Sequence, residues 1–259
     1  MKRVFCLLVG LLLTCSASGE YEEPTLSVAL GAKVANRWLV RGATFYDALY
    51  VSPLLYIGAF NRRLEFFGNS LEYNDFFINT ILRGRGRLSF FGDDPSIVFG
   101  EPKGFRNSRA SALEARGKLE WFIPNWTQYW GQVDIDVSKG LSGHFGVFIE
   151  STVRVTLAKL FKNSEGKANV QPQVFARIGW GDRQQNQYLY GAGAGGAGFN
   201  MLGTGIMVVA PAKIDPHYPV LEMGYYQVLG DARRGSLVSD QPQGFGVSAT
   251  IAFQVFKID

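Results

Sequence analysis

The feature that most constrains this chain is a side-chain period of two sustained over unusually long segments. Near the C-terminus, Phe245, Val247, Ala249, Ile251, Phe253 and Val255 alternate with Gly246, Ser248, Thr250, Ala252 and Gln254. Successive strand side chains point to opposite faces, so this stretch has one apolar side and one small or polar side. The same alternation sets Leu26, Val28, Leu30, Ala32 and Val34 against Ser27, Ala29, Gly31 and Lys33. It also sets Val133, Ile135 and Val137 against Gln132, Asp134 and Asp136, and Phe145, Val147, Ile149, Val153 and Val155 against Gly146, Phe148, Glu150, Thr152 and Arg154. Residues 243–256 and 144–157 exceed what a tilted strand needs to cross a bilayer, about 9–11 residues. Strands of ordinary globular proteins centre on about 5–6.

Further strands are predicted over residues 50–60, 62–69, 75–91, 117–123, 129–137, 173–180, 201–210 and 218–229, with a shorter one over 38–46. Turn chemistry marks short connections at 138–143, 163–166 and 211–216, and longer irregular stretches at 92–114, 181–200 and 230–242. The fold expected is all-β, a closed antiparallel transmembrane β-barrel of about 10–12 strands with short turns at one rim and longer loops at the other. An open sheet edge cannot face hydrocarbon, where each unpaired backbone group costs several kcal/mol, and closure removes the edges.

Composition decides between the remaining alternatives. The mean hydropathy is only +0.02, and after residue 18 no uncharged apolar run reaches the roughly 20 residues a membrane helix requires. A soluble β domain would use the aromatics, 14% of the chain, to fill its core. In a barrel Phe66, Phe67, Phe76, Phe77, Phe90, Phe91, Trp121, Trp126, Tyr129, Trp130, Trp180, Tyr188, Tyr190, Tyr225 and Tyr226 would instead form interfacial girdles. Strand length together with a leader favours the barrel. Lys2 and Arg3, the apolar run 5–13 and Ser16-Ala17-Ser18 are the parts of a signal peptide, with cleavage expected after Ser18 and the barrel occupying 19–259. A lipoprotein would use Cys15, but Thr14 is a poor residue before a lipidated cysteine.

Cys6 and Cys15 both lie in that leader, so the mature chain offers no disulfide, no thiol and no cysteine metal site. No cofactor is expected. Removing Lys2 and Arg3 leaves 24 basic against 22 acidic residues, too even a balance, with no basic block, to argue for nucleic acid.

The residues that would carry chemistry are few. His144 and His217 are the only histidines. His144 lies near Ser142, with Asp134 or Asp136 across the predicted hairpin, so a surface hydrolase is one reading and a plain turn residue the other. His217 reads as a turn residue. Gly191-Ala192-Gly193-Ala194-Gly195-Gly196 matches a dinucleotide pattern that has meaning only between a strand and a following helix, and a loop is the expectation here. Asn125-Trp126-Thr127 is a glycosylation sequon without consequence in this setting. Arg83, Arg85 and Arg87 share one strand face. On the lipid side each would cost about 2–4 kcal/mol near the midplane, so they belong in the lumen with Gln132, Asp134, Asp136, Glu150 and Arg154. There they either pair with one another and plug the barrel or line a solute path.

The segment Gly224-Tyr225-Tyr226-Gln227-Val228-Leu229-Gly230-Asp231-Ala232 resembles the strand ending in Leu-Gly-Asp-Ala of the MipA/OmpV family. There, as here with Ser236, residues 239–244 and residues 245–256, a serine, a polar loop and a last aromatic-ended strand follow. Asp136-Val137-Ser138-Lys139-Gly140 with Gly143-His144-Phe145-Gly146 is similar to the family's central hairpin. Ala115-Arg116-Gly117, Leu119-Glu120-Trp121, Pro53-Leu54-Leu55, Phe66-Phe67-Gly68 and the arginine strand also resemble family segments. Arg41-Gly42-Ala43-Thr44-Phe45-Tyr46 departs from the family's Pro-x-Tyr-x-Gly, and Lys257-Ile258-Asp259 extends past the usual terminal aromatic.

The resemblance implies a non-enzymatic outer-membrane protein of a Gram-negative envelope, in contact with outer-membrane lipid. Its implied role is structural or interactive: a scaffold for a periplasmic murein hydrolase and synthase, or an adhesin for a host surface protein. A narrow channel for small solutes is the alternative.

Overall fold

The computed structural model describes residues 26–46, 49–60, 64–67, 70–79, 82–91, 97–98, 112–123, 130–157, 171–209, 220–236 and 243–258. The expected leader, His217, Trp126, Tyr129 and the predicted turns at 163–166 and 211–216 lie outside them. Among the described residues fifteen strands are formed. They are β1 (Leu26–Ala35), β2 (Trp38–Val40), β3 (Ala43–Tyr46), β4 (Tyr50–Ala59), β5 (Leu64–Phe67), β6 (Ser70–Asn79), β7 (Leu82–Phe91), β8 (Ile97–Val98), β9 (Ala112–Ile123), β10 (Trp130–Ser142), β11 (Val147–Thr156), β12 (Gln171–Gly181), β13 (Gly198–Val209), β14 (Val220–Val228) and β15 (Gln243–Ile258).

Twelve of them close into one antiparallel barrel in the order β1-β15-β14-β13-β12-β11-β10-β9-β7-β6-β5-β4, sealed by β4 against β1. Every neighbouring pair is antiparallel, and β2 and β3 form a separate hairpin in the β1–β4 connection. The short β8 pairs with Tyr50 and Val51 of β4. β5 covers only Tyr56–Ala59 of the same edge. Pro53, which has no N–H to offer a neighbour, sits in the stretch between them.

The alternation sorts the two faces as hydrocarbon outside and water inside demand. Leu30, Trp121, Ile135, Ile178 and Phe253 are exposed on the outer face at 52%, 49%, 44%, 38% and 57%. Ala29, Glu72, Glu120, Asp134, Thr152 and Tyr226 are buried on the inner one.

Four local expectations change. The segment 75–91 is shared between two strands, β6 and β7. Residues 38–46 are a hairpin, not one strand. The turn expected at 138–143 falls later, because Leu141 continues the outward apolar row of Val137 and Gly140 N–H bonds Gly146 O at 3.0 Å. The reversal is made at 143–146, with Gly143 at φ +76°. Within 181–200 there is a helix, α1 (Arg183–Tyr190).

Candidate functional site: a hairpin laid across the lumen

The β2–β3 hairpin turns through Arg41 and Gly42, both with positive φ, +49° and +79°. A two-residue turn of that hand matches the twist of the strands it joins, and glycine suits the second place. At Arg41 the left-handed backbone costs about 1–2 kcal/mol, and the side chain offsets it. Its guanidinium grips both oxygens of Glu114, at 3.0 and 2.6 Å, and bonds Ser138 Oγ at 2.8 Å. It also lies 4.3 Å from the ring centre of Phe148. Glu114 is on β9, Ser138 on β10 and Phe148 on β11, across the ring from the β1 and β4 strands that carry the hairpin. The hairpin therefore spans the lumen and is latched on the far wall. The two charged side chains are only 6% and 2% exposed, so this is a buried bidentate pair and not a surface contact.

The latch has a second layer. His144 Nε2 meets Glu114 Oε1 at 3.1 Å, while Gly146 N–H donates to its Nδ1 at 3.2 Å. That pattern assigns the neutral ring with its proton on Nε2. The ring stacks on Tyr188 of α1 at 4.2 Å. Tyr190, at the end of α1, donates its hydroxyl to Arg41 O at 2.8 Å. Burial pushes its phenol up, so it stays a donor. Helix α1 itself is held by Asp182, whose carboxylate accepts from Gln185 N at 2.8 Å and from Val147 N at 2.9 Å. Its buried face presents Gln185, Asn186, Leu189 and Tyr190, and Asn186 bonds Gly196 O at 2.6 Å and accepts from Asn200 at 2.6 Å. Asp182→Ala is expected to weaken the cap by about 1 kcal/mol. Trypsin cleavage after Arg183 in the folded barrel should accelerate, and an unchanged rate would remove this role.

The sequence-predicted residues fall into two groups along the inner wall. Arg83, Arg85 and Arg87 share a face and stand opposite Glu120, Lys118 and Arg116 in register. Arg85 bonds Glu120 at 2.9 Å and Glu72 at 3.1 Å, and Arg87 bonds Glu72. Lys118 joins Glu120 at 2.7 Å to Asp134 at 3.3 Å, and Arg154 reaches Asp134 at 2.9 Å. Gln132 donates to Asp134 at 2.5 Å, and Asp136 pairs with Arg116 at 3.4 Å. The result is one ionic belt from β6 to β11. Glu150 is apart from it: it accepts from Thr152 at 3.3 Å and faces a cavity.

In the Leu229–Ala232 motif, Leu229 N–H bonds Asn200 O at 2.9 Å, Gly230 takes φ +55° and Ala232 is buried. The motif opens a 3-10 turn, Gly230–Arg234, whose following Ser236 N–H bonds Ala192 O at 2.8 Å. The motif thus clamps the exit of α1.

Other expectations are redirected. Tyr188, Tyr190 and Tyr226 do not join an outer girdle: the first two belong to the latch, and Tyr226 donates inward to Glu222 at 2.5 Å. Trp121 and Tyr225 are exposed on the outer face. His144 bonds Glu114 and Gly146 and not Ser142, whose hydroxyl accepts from Leu113 N at 3.2 Å. The glycines at 191–196 follow a helix and enter a strand, the reverse of the dinucleotide order. Sequence reading missed Arg41, Glu114 and α1. The signals present were Arg41-Gly42 between two short β runs, and Asp182 followed three residues later by Gln185, a capping pattern.

A closed antiparallel ring of twelve strands, apolar outside and ionic inside, with loops folded into its mouth, is an outer-membrane β-barrel. Its sequence places it further. A sequence model described as MltA-interacting protein MipA matches residues 28–254, and the chain belongs to the MipA family. A search among curated proteins finds no match. Among solved structures it is similar to Pseudomonas aeruginosa OccD3 (OpdP), at 10% identity and TM-score 0.33 over 92% of this chain and 67% of that one. It is also similar to Pseudomonas aeruginosa OprD, at 11% identity and TM-score 0.34 over 92% of this chain and 69% of that one.

Proposed function

We propose that this chain, exported with residues 1–18 removed, is a non-enzymatic and non-conducting outer-membrane barrel that acts by binding another protein. The observation that carries this reading is the hairpin latched across the lumen by Arg41 and Glu114. A solute path would need that interior, and small barrels are filled by their own side chains. The ionic belt supports the same view, since its carboxylates are each paired with a cation of the wall and offer no free line of negative charge to a moving solute. The family's description, MltA-interacting protein, directs the choice of partner to a periplasmic murein hydrolase and the synthase it works with.

Crosslinking in intact cells, followed by identification of captured proteins, tests this. Recovery of a murein hydrolase or synthase is the expected result. Capture of a host surface receptor alone would replace scaffolding with adhesion. Planar-bilayer recording supplies the second arm: wild-type protein should be electrically silent, and stable single-channel steps would overturn the non-conducting reading. The narrow-channel alternative is favoured by one feature, a polar cavity of about 180 Å³ beside the hairpin.

A further inference from the structure

The ionic belt and that cavity divide the inner wall into two regions of different charge economy. In the belt each described carboxylate meets a cation. The cavity is lined by Lys33, Arg37, Arg41 and Arg177 against Glu150 and Glu222. Arg41 is answered from behind by Glu114, and Arg177 pairs with Glu222 at 3.2 Å.

Lys33 sits on β1 between Ala32 and the outward Val34, in register with Thr250 and Ser52. Among the described residues its ammonium has neither a hydrogen-bond acceptor nor an ion-pair partner. Lys33 is half-buried and lines the cavity, so its ammonium is open to an anion that enters there. Arg177 adds a second donor, because its Nε–H is buried without an acceptor. The guanidinium is held between Phe175 and Tyr226, at 4.4 and 5.5 Å from their ring centres, and cannot swing away to find one.

We propose that this cavity is a binding site for a small organic oxyanion, held by the Lys33 ammonium and the free donor of Arg177. The volume, about 180 Å³, exceeds the roughly 150 Å³ that accepts benzene in an engineered cavity. A carboxylate or phosphate on a body of about that size fits, and a polymer does not. Glu150 and Glu222, on the same lining, repel a second negative group and restrict the ligand to a single anionic head.

The purified full chain, folded in detergent, is titrated calorimetrically with sodium benzoate and separately with sodium phosphate, with sodium chloride holding ionic strength constant. Saturable one-to-one binding of at least one probe is expected. Lys33→Gln should weaken it tenfold or more, Lys33→Arg should retain most of it, and Lys139→Gln, a change at the loop rim, should leave it unaltered. Ser248→Leu keeps Lys33 and fills the cavity from the neighbouring strand, so it should abolish binding by volume alone. This variant decides the matter if Lys33→Gln fails to fold. Absence of saturable heat with both probes overturns the proposal, as does undiminished affinity in Lys33→Gln or in Ser248→Leu.

Discussion

Replacing Glu114 with Gln is expected to unlatch the hairpin and open the barrel to ions. The substitution leaves the Arg41 guanidinium and the His144 Nε2–H facing an uncharged amide in a site where the two latch side chains are only 6% and 2% exposed. Removing one member of a buried pair costs about 3–5 kcal/mol, most of it the penalty of the charge left behind. Arg41 escapes that penalty by carrying the hairpin tip out to water, and it sheds the left-handed backbone strain in doing so. Two measurements report this: a lower thermal transition, and single-channel steps in planar bilayers beyond any that wild-type protein gives. A variant that remained both silent and as stable as wild type would show that the latch does not hold the hairpin.

The second large effect is expected at the seam where the first and last strands meet. A Cβ on Gly31 would lie 2.2 Å from Ile251 O and 2.8 Å from Ala252 Cα. Both are backbone atoms of β15, which cannot step aside without breaking the ladder that runs from Leu26↔Ile258 to Ala35↔Ser248. Gly31→Val should therefore prevent closure of the ring. An open edge in hydrocarbon leaves rows of unpaired backbone groups, so the loss should be of folding altogether. Refolding into detergent, followed by the heat-sensitive gel mobility of a closed barrel, should show little or no folded band. Gly117→Ala is the matched control, because nothing lies within 4 Å of its Cβ position, and its stability should stay within about 0.5 kcal/mol of wild type.

The wall of this barrel was legible in the sequence, and its contents were not. Residues 245–255 declare a strand because lipid selects every outward side chain and water every inward one, a rule written into neighbouring letters. The same rule places Arg83, Arg85 and Arg87 on one face, but it says nothing of Glu72 and Glu120, which answer Arg85 from other strands. The latch is hidden more deeply, since Arg41 and Glu114 are 73 residues apart in sequence and no local pattern joins them. Helix α1 escaped notice because Arg183-Gln184-Gln185-Asn186-Gln187 shows no apolar period. It is stabilised by its Asp182 cap and by amide bonds to Gly196 and Asn200, where a core-facing helix would use an apolar stripe. Residues 138–143 misled for the opposite reason: their composition is that of a turn, and the ladder to β9 and β11 overrides it.

The crossing hairpin also dictates an order of assembly. Its anchors, Glu114 and Ser138, come 73 and 97 residues after Arg41 in the chain, so the tip has nowhere to dock until β9 and β10 have joined the ring. Being tethered at both ends to adjacent strands, it can swing in through the mouth as a unit once the circle is complete. The far wall has to stand before the crossbar can bear on it, so the contact that bridges the lumen cannot precede the strands that receive it.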